Sequence, residues 1–185
     1  KANFRFTGNQ NLILADIQKK DKPEIETLLN HFGLDTHTDN SSAIRKNSIA
    51  CVAFNTCPLA LAEAQRYLPT LITKIEPILE KYKISEEEIT IRMTGCPNGC
   101  GRSVLSEIGF VGTSYGMYNL HIGGDRLGER LNTKYKENLS EEQILKNLDE
   151  LFQAYSLERY QGETFGDFAE RRWLKNASSS ISLVW

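Results

Sequence analysis

Four cysteines carry the reactive potential of this chain, in two close pairs: Cys51 and Cys57 at C-x5-C, Cys96 and Cys100 at C-x3-C. Thiolate is the soft ligand that both zinc and iron–sulfur clusters select. Four thiols, one per iron, is the complement that one [4Fe-4S] cluster requires. Three other uses of cysteine compete with that one. Free cysteines pack well in cores, although two tight pairs do not fit scattered core positions. Structural zinc accepts C-x3-C, whereas C-x5-C lies outside its usual spacing. Disulfides belong to oxidising compartments, and no secretory signal is recognisable.

The second pair lies in Thr94-Gly95-Cys96-Pro97-Asn98-Gly99-Cys100-Gly101. Glycines at 95, 99 and 101 let the backbone wrap closely around a bulky group and permit positive φ. Pro97 stiffens the loop. The remaining N–H groups are free to point at sulfur and tune a cluster's potential.

The elements that must position these loops follow from periodicity. Asn3–Thr7 and Asn11–Ala15 read as two strands across a Gly8-Asn9 turn, with Arg5, Thr7 and Gln10 on a polar face. A helix capped by Asp21, with Pro23 in its first turn, carries Ile25, Leu28, Leu29 and Phe32 and ends at Gly33. Residues 35–46 read as a loop. Pro58 suits the first turn of a helix bearing Ala60, Leu61, Ala64, Tyr67 and Leu68, which would put Cys57 at a helix N-terminus. Pro69 breaks that helix, and a second begins near Thr70 with a kink or a late restart expected at Pro77. Alternation over 88–94 predicts a strand that delivers Gly95-Cys96, and 99–107 reads as a short helix with Cys100 near its start. Strands are expected at 108–112 and 117–122. A Gly123-Gly124 loop with Arg126 and Arg130 is a candidate anion-facing segment. Ser140-x-x-Gln143 is a capping box ahead of the last long helix, and 165–174 reads as a further short one. His31, His37 and His121 read as ordinary surface or sheet histidines.

Composition narrows the function classes. The chain has 185 residues, 40% apolar and 25% charged, with a formal net charge of −2. That is enough for a real core, and it favours neither nucleic acid nor a membrane surface as partner. Lys1 leads at once into a strand-like run, which predicts a fragment of a longer polypeptide. The expected architecture is α+β: a mixed sheet with packed helices over 1–175, followed by an extended serine-rich tail over 176–185.

Cys51-Val52-Ala53-Phe54-Asn55-Thr56-Cys57-Pro58-Leu59-Ala60 and Thr94-Gly95-Cys96-Pro97-Asn98-Gly99-Cys100-Gly101-Arg102 resemble the cluster motifs of the sirohaem-carrying sulfite and nitrite reductases. The likeness extends from Phe4-Arg5-Phe6-Thr7-Gly8-Asn9-Gln10-Asn11-Leu12 through Tyr118-Asn119-Leu120-His121-Ile122-Gly123-Gly124 to Gly166-Asp167-Phe168. It leaves out only the tail after about Leu174. It is closest to the haemoprotein branch of the NADPH-dependent assimilatory sulfite reductases, and it implies a sulfite/nitrite reductase 4Fe-4S domain-like fold. By resemblance, Cys51, Cys57, Cys96 and Cys100 ligate a [4Fe-4S] cluster, and Cys100 is also the axial ligand of the sirohaem iron. The implied activity is the six-electron reduction of sulfite to sulfide in the cytoplasm, fed by a flavoprotein reductase subunit. A sirohaem nitrite reductase is the related alternative, and a non-catalytic electron-transfer or zinc-stabilised module is the alternative from another class. The family protein has two related halves, and this chain resembles the second. The cations that meet sulfite and the sirohaem carboxylates are expected on the missing N-terminal half. No catalytic residue is therefore assigned to this chain, which by itself should not turn sulfite over.

Overall fold

The structure is a computed structural model that describes residues 2–9, 11–34 and 40–175. Gln10, His37 and the 176–185 tail lie outside the described residues. The chain divides into two units, Lys1–Ser41 and Ser42–Trp185.

In the first unit, β1 (Asn3–Phe6) and β2 (Leu12–Ala15) pair antiparallel, Phe4 opposite Leu14 and Phe6 opposite Leu12. Helix α1 spans Lys22–His31 with Pro23 in its first turn, although the Asp21 side chain makes no capping bond. None of the three elements contains a buried residue.

The second unit is built on a five-stranded mixed sheet. Its strands are β3 (Ser48–Ala50), β4 (Ile91–Thr94), β5 (Ile108–Ser114), β6 (Met117–Ile122) and β7 (Thr133–Leu139), in that spatial order. The first three run parallel and the last three form an antiparallel meander. Around it lie α2 (Ala43–Lys46), α3 (Leu68–Lys81), α4 (Glu141–Glu158) and α5 (Phe165–Ala169), the last running into one π turn over Glu170–Leu174. The α+β expectation with a mixed sheet holds.

One core joins these layers. Leu71, Ile72 and Ile75 of α3, Ile91 and Met93 of β4, Phe110 of β5, Leu120 of β6 and Leu148 and Phe152 of α4 are all at most 1% exposed. The apolar spacing on α3 and α4 is the 3.6-residue stripe that buries one helix face. The Ser140 capping box forms as expected: Ser140 Oγ accepts from the Gln143 N–H while Gln143 reaches back to the Ser140 N–H. Central strand β4 is buried on both faces. Its polar face, Arg92 and Thr94, is covered as well, with the Thr94 hydroxyl 3.3 Å from Ser103 Oγ.

Several expectations fail for identifiable reasons. Residues 51–67 form turns, and no helix follows Pro58. The loop N–H groups instead find partners far away in sequence, as the site geometry shows. Pro69 opens α3 rather than ending a helix, since its fixed φ and missing N–H suit the first turn. That helix runs through Pro77 to Lys81. The segment after Cys100 is only a 3-10 turn over Ser103–Leu105, entered through Arg102 at φ 53°. Ser42 caps a short helix, α2, in the stretch read as loop. Strand β7 went unread because its pattern is almost wholly exposed, as an edge strand's is.

The 125–130 turn closes on Asp125, whose carboxylate accepts from the N–H groups of Gly128 (2.5 Å), Glu129 (2.9 Å) and Arg130 (2.6 Å). Partial burial alone would raise this carboxyl, but the backbone donors hold it below its usual range. A depressed carboxyl adds stability above its unfolded pKa of about 3.9, and that stability is lost as pH falls through the lower folded value. Asp125→Asn should cost about 1–2 kcal/mol near neutral pH. Melting curves of mutant and wild type should converge below about pH 4.

Candidate metal centre

Both cysteine pairs leave the carboxyl ends of neighbouring parallel strands, where open sheets place their ligands. Cys51 follows β3 directly, and its N–H donates to the Met93 carbonyl at 3.1 Å, extending the β3–β4 ladder by one rung. Cys96 stands two residues beyond β4. The two loops touch: the Gly95 N–H donates to Cys51 Sγ at 3.2 Å. A Cβ on Gly101 would lie 2.3 Å from the Met93 carbonyl oxygen and 3.1 Å from the Cys51 nitrogen, so only glycine brings the chain after Cys100 back to Cys51. Cys57 closes a turn on the Cys51 side, its N–H donating to the Ala53 carbonyl at 2.8 Å. Residues beyond Cys57 return to the same place, Leu61 and Ala62 donating to the Gly95 carbonyl and Gln65 to the Cys51 carbonyl at 3.0 Å.

All four thiols are free; Cys96 is buried, Cys51 and Cys57 half-buried, and Cys100 exposed. The expected helix N-termini at Cys57 and Cys100 are absent, so no helix dipole acts on either sulfur. Among the described residues no three Cys, His, Asp or Glu side chains meet closely enough to clasp a single metal ion. A cluster spreads its thiolates around a cube of irons and asks for a wider set than one ion does. The all-sulfur donor set, the glycine cradle and an N–H aimed at sulfur fit such a cluster.

Arg92 is 7% exposed on the polar face of β4. Burial, reinforced by the charge of Arg102, lowers its pKa. Two cations are thus held near one another beside the cysteine loop. The anion-facing reading of the 123–130 loop is not supported. Arg130 binds the Asp167 carboxylate at 2.7 Å and the Gly123 carbonyl at 2.7 Å. Arg126 lies 3.5 Å from Glu88 and 3.7 Å from the fully buried Glu107. Arg130 thus serves an internal carboxylate, and Arg126 faces two, although its Nε makes no hydrogen bond. His121 is half-buried on β6, and burial, with Lys134 beside it, lowers its pKa.

Sequence reasoning missed the loop made by residues 60–65. Ala62 and Ala64 are fully buried there although no helix forms; Ala62 lies against Gly95, and Gln65, next to Ala64, donates to the Cys51 carbonyl. Their alternation with Leu61 and Glu63 was the available signal.

The chain is 64% identical over 171 residues to the sulfite reductase (NADPH) hemoprotein beta-component of Leptospira biflexa, covering 92% of this chain and 31% of that protein. The chain is similar to one portion of the sulfite reductase hemoproteins. The counterpart from Staphylococcus carnosus is 55% identical over 172 residues, 93% of this chain and 30% of that one. Thus the chain spans about 30% of the length of these relatives. Among solved structures, the Mycobacterium tuberculosis NirA protein superposes with a TM-score of 0.72 at 26% identity, covering 94% of this chain and 33% of that one. No protein-family model matches the chain.

Proposed function

We propose that this chain is the cluster-carrying portion of a sirohaem-dependent sulfite reductase that takes sulfite to sulfide with six electrons. The observation that carries the reading is the meeting of both cysteine loops beyond β3 and β4, in a chain 64% identical to a sulfite reductase hemoprotein. Cys51, Cys57, Cys96 and Cys100 would hold the [4Fe-4S] cluster. Cys100, the exposed thiol, would share its sulfur with the sirohaem iron. When bound, the coupled cofactors supply electrons singly to the substrate sulfur. This chain's own part is to present four thiolates, to hold the Cys51 sulfur against the Gly95 N–H, and to back the loop with the Thr94–Ser103 contact.

The remaining polypeptide is the first partner this reading requires. The Lys1–Ser41 unit leaves Phe4 67%, Phe6 88% and Phe32 68% exposed and buries nothing in β1, β2 or α1. Two strands and a helix without a core are not stable alone, so apolar cover from elsewhere in the protein suits them. A flavoprotein subunit is the electron donor in this account. The site of action is the cytoplasm, where thiols stay reduced. No helix among the described residues is long and apolar enough to cross a membrane.

The test is sulfide release from sulfite by the full-length protein, loaded with both cofactors and driven by a strong reductant. This chain alone should release none. Turnover of nitrite in preference to sulfite would move the assignment to a sirohaem nitrite reductase. A colourless, zinc-containing protein would end it.

A further inference from the structure

We propose that Gly95 is a positioning residue that sets the two cysteine loops against each other before any cofactor enters. The proposal rests on the cluster reading above. Gly95 acts at three points. Its N–H donates to Cys51 Sγ at 3.2 Å. Its carbonyl accepts from both Leu61 (2.8 Å) and Ala62 (2.9 Å), in the loop that follows Cys57. Its missing side chain admits the neighbouring backbone: a Cβ there would lie 2.6 Å from the Ala62 carbonyl oxygen and 2.7 Å from Ala53 Cβ. Neither neighbour can rotate aside, since one is backbone and the other is a Cβ.

Ala53 lies on the turn between Cys51 and Cys57, buried and at φ 47°, and its carbonyl takes the Cys57 N–H. Holding an alanine in the left-handed region costs conformational energy, so packing must keep it there, and Gly95 is what it packs against. From the other side, a Cβ on Gly112 of β5 would lie 2.6 Å from the Gly95 carbonyl oxygen, so the sheet itself backs the tie. Gly95 is also bonded in sequence to Cys96. Three of the four ligand positions are therefore referenced to one residue: Cys51 by a hydrogen bond, Cys57 through Ala53, and Cys96 by the peptide link. All of these contacts are between protein atoms, so the proposal requires the tie to form in the apoprotein as well. Once a cluster is held, the same N–H draws electron density from the Cys51 sulfur and favours the reduced state.

The experiment compares Gly95→Ala with wild type in the full-length protein. Gly116→Ala serves as control, because a Cβ there meets nothing within 4 Å, even though the backbone at Gly116 has a positive φ (71°). Gly95→Ala should lose iron to a chelator about 10–100-fold faster, in the range of lost supporting contacts at metal sites. Its cluster should also have a lower reduction potential, while Gly116→Ala matches wild type in both. Hydrogen exchange on metal-free wild type supplies a readout that needs neither cluster nor mutant: the Leu61 and Ala62 amides should be protected. Unchanged iron retention and potential in Gly95→Ala would overturn the proposal, as would free exchange at Leu61 and Ala62 in the apoprotein. If Gly95→Ala does not fold, the exchange result decides. If wild type takes up no cluster, the cluster reading fails, and the exchange result still reports on the tie.

Discussion

In the full-length protein, Cys100→Ser should erase two spectroscopic signatures together. On the proposed reading the cluster would lose a soft ligand that serine's harder oxygen does not replace, so its visible absorbance and iron content should fall to background. If Cys100 is the sulfur shared with the sirohaem, that group would lose a protein ligand, and the haem optical bands and EPR signal should shift as well. Cys51→Ser should act on the haem only through loss of the cluster. The asymmetry has a structural basis in the environments of the two sulfurs. Cys100 is exposed at the outer end of its loop, whereas Cys51 Sγ is engaged by the Gly95 N–H. Should Cys100→Ser leave the haem spectrum intact while Cys51→Ser or Cys57→Ser changes its axial ligation, the bridging role belongs to a different cysteine.

The second large effect is on stability. Phe165→Ala should cost about 3–5 kcal/mol. Phe165 is 0% exposed, and its ring meets those of Phe152 and Tyr155 edge-on, each with centroids 5.5 Å away. It also begins α5, just after the Thr164 cap, and so joins α4 to the helical segment over 165–174. Against a typical domain stability of about 5–15 kcal/mol, that loss is a large fraction. Denaturant melts should show the drop. Leu157→Ala, on α4 and 77% exposed, should stay within about 0.5 kcal/mol of wild type.

What could be read from sequence was what local chemistry decides. The Ser140–Gln143 capping box, the α3 stripe and the strand leading into Gly95 are specified by residues within a turn or two of each other. The paired cysteines and their glycines were legible for the same reason. The failures involve residues whose fate is set from a distance. Ala60, Leu61 and Ala64 looked like a helix face, yet their segment is held by Gly95 and by the Cys51 carbonyl. Strand β7 gives no alternation, because only its partner β6 calls for it. The short helix expected after Cys100 yields to Arg102 in the left-handed region and to glycine contacts against β4. That Gly95 reaches Cys51 is a tertiary fact. Spacing supplies the four candidate ligands but not the peptide that brings their loops together.

The most direct test of the central claim is the iron and acid-labile sulfide content of the full-length protein, measured beside its Cys51→Ala, Cys57→Ala, Cys96→Ala and Cys100→Ala variants. The account predicts iron and sulfide in the equal amounts of one [4Fe-4S] cluster per wild-type chain, and loss of both in each variant. Zinc without labile sulfide in the wild type would contradict it. So would undiminished iron and sulfide in any one of the four variants.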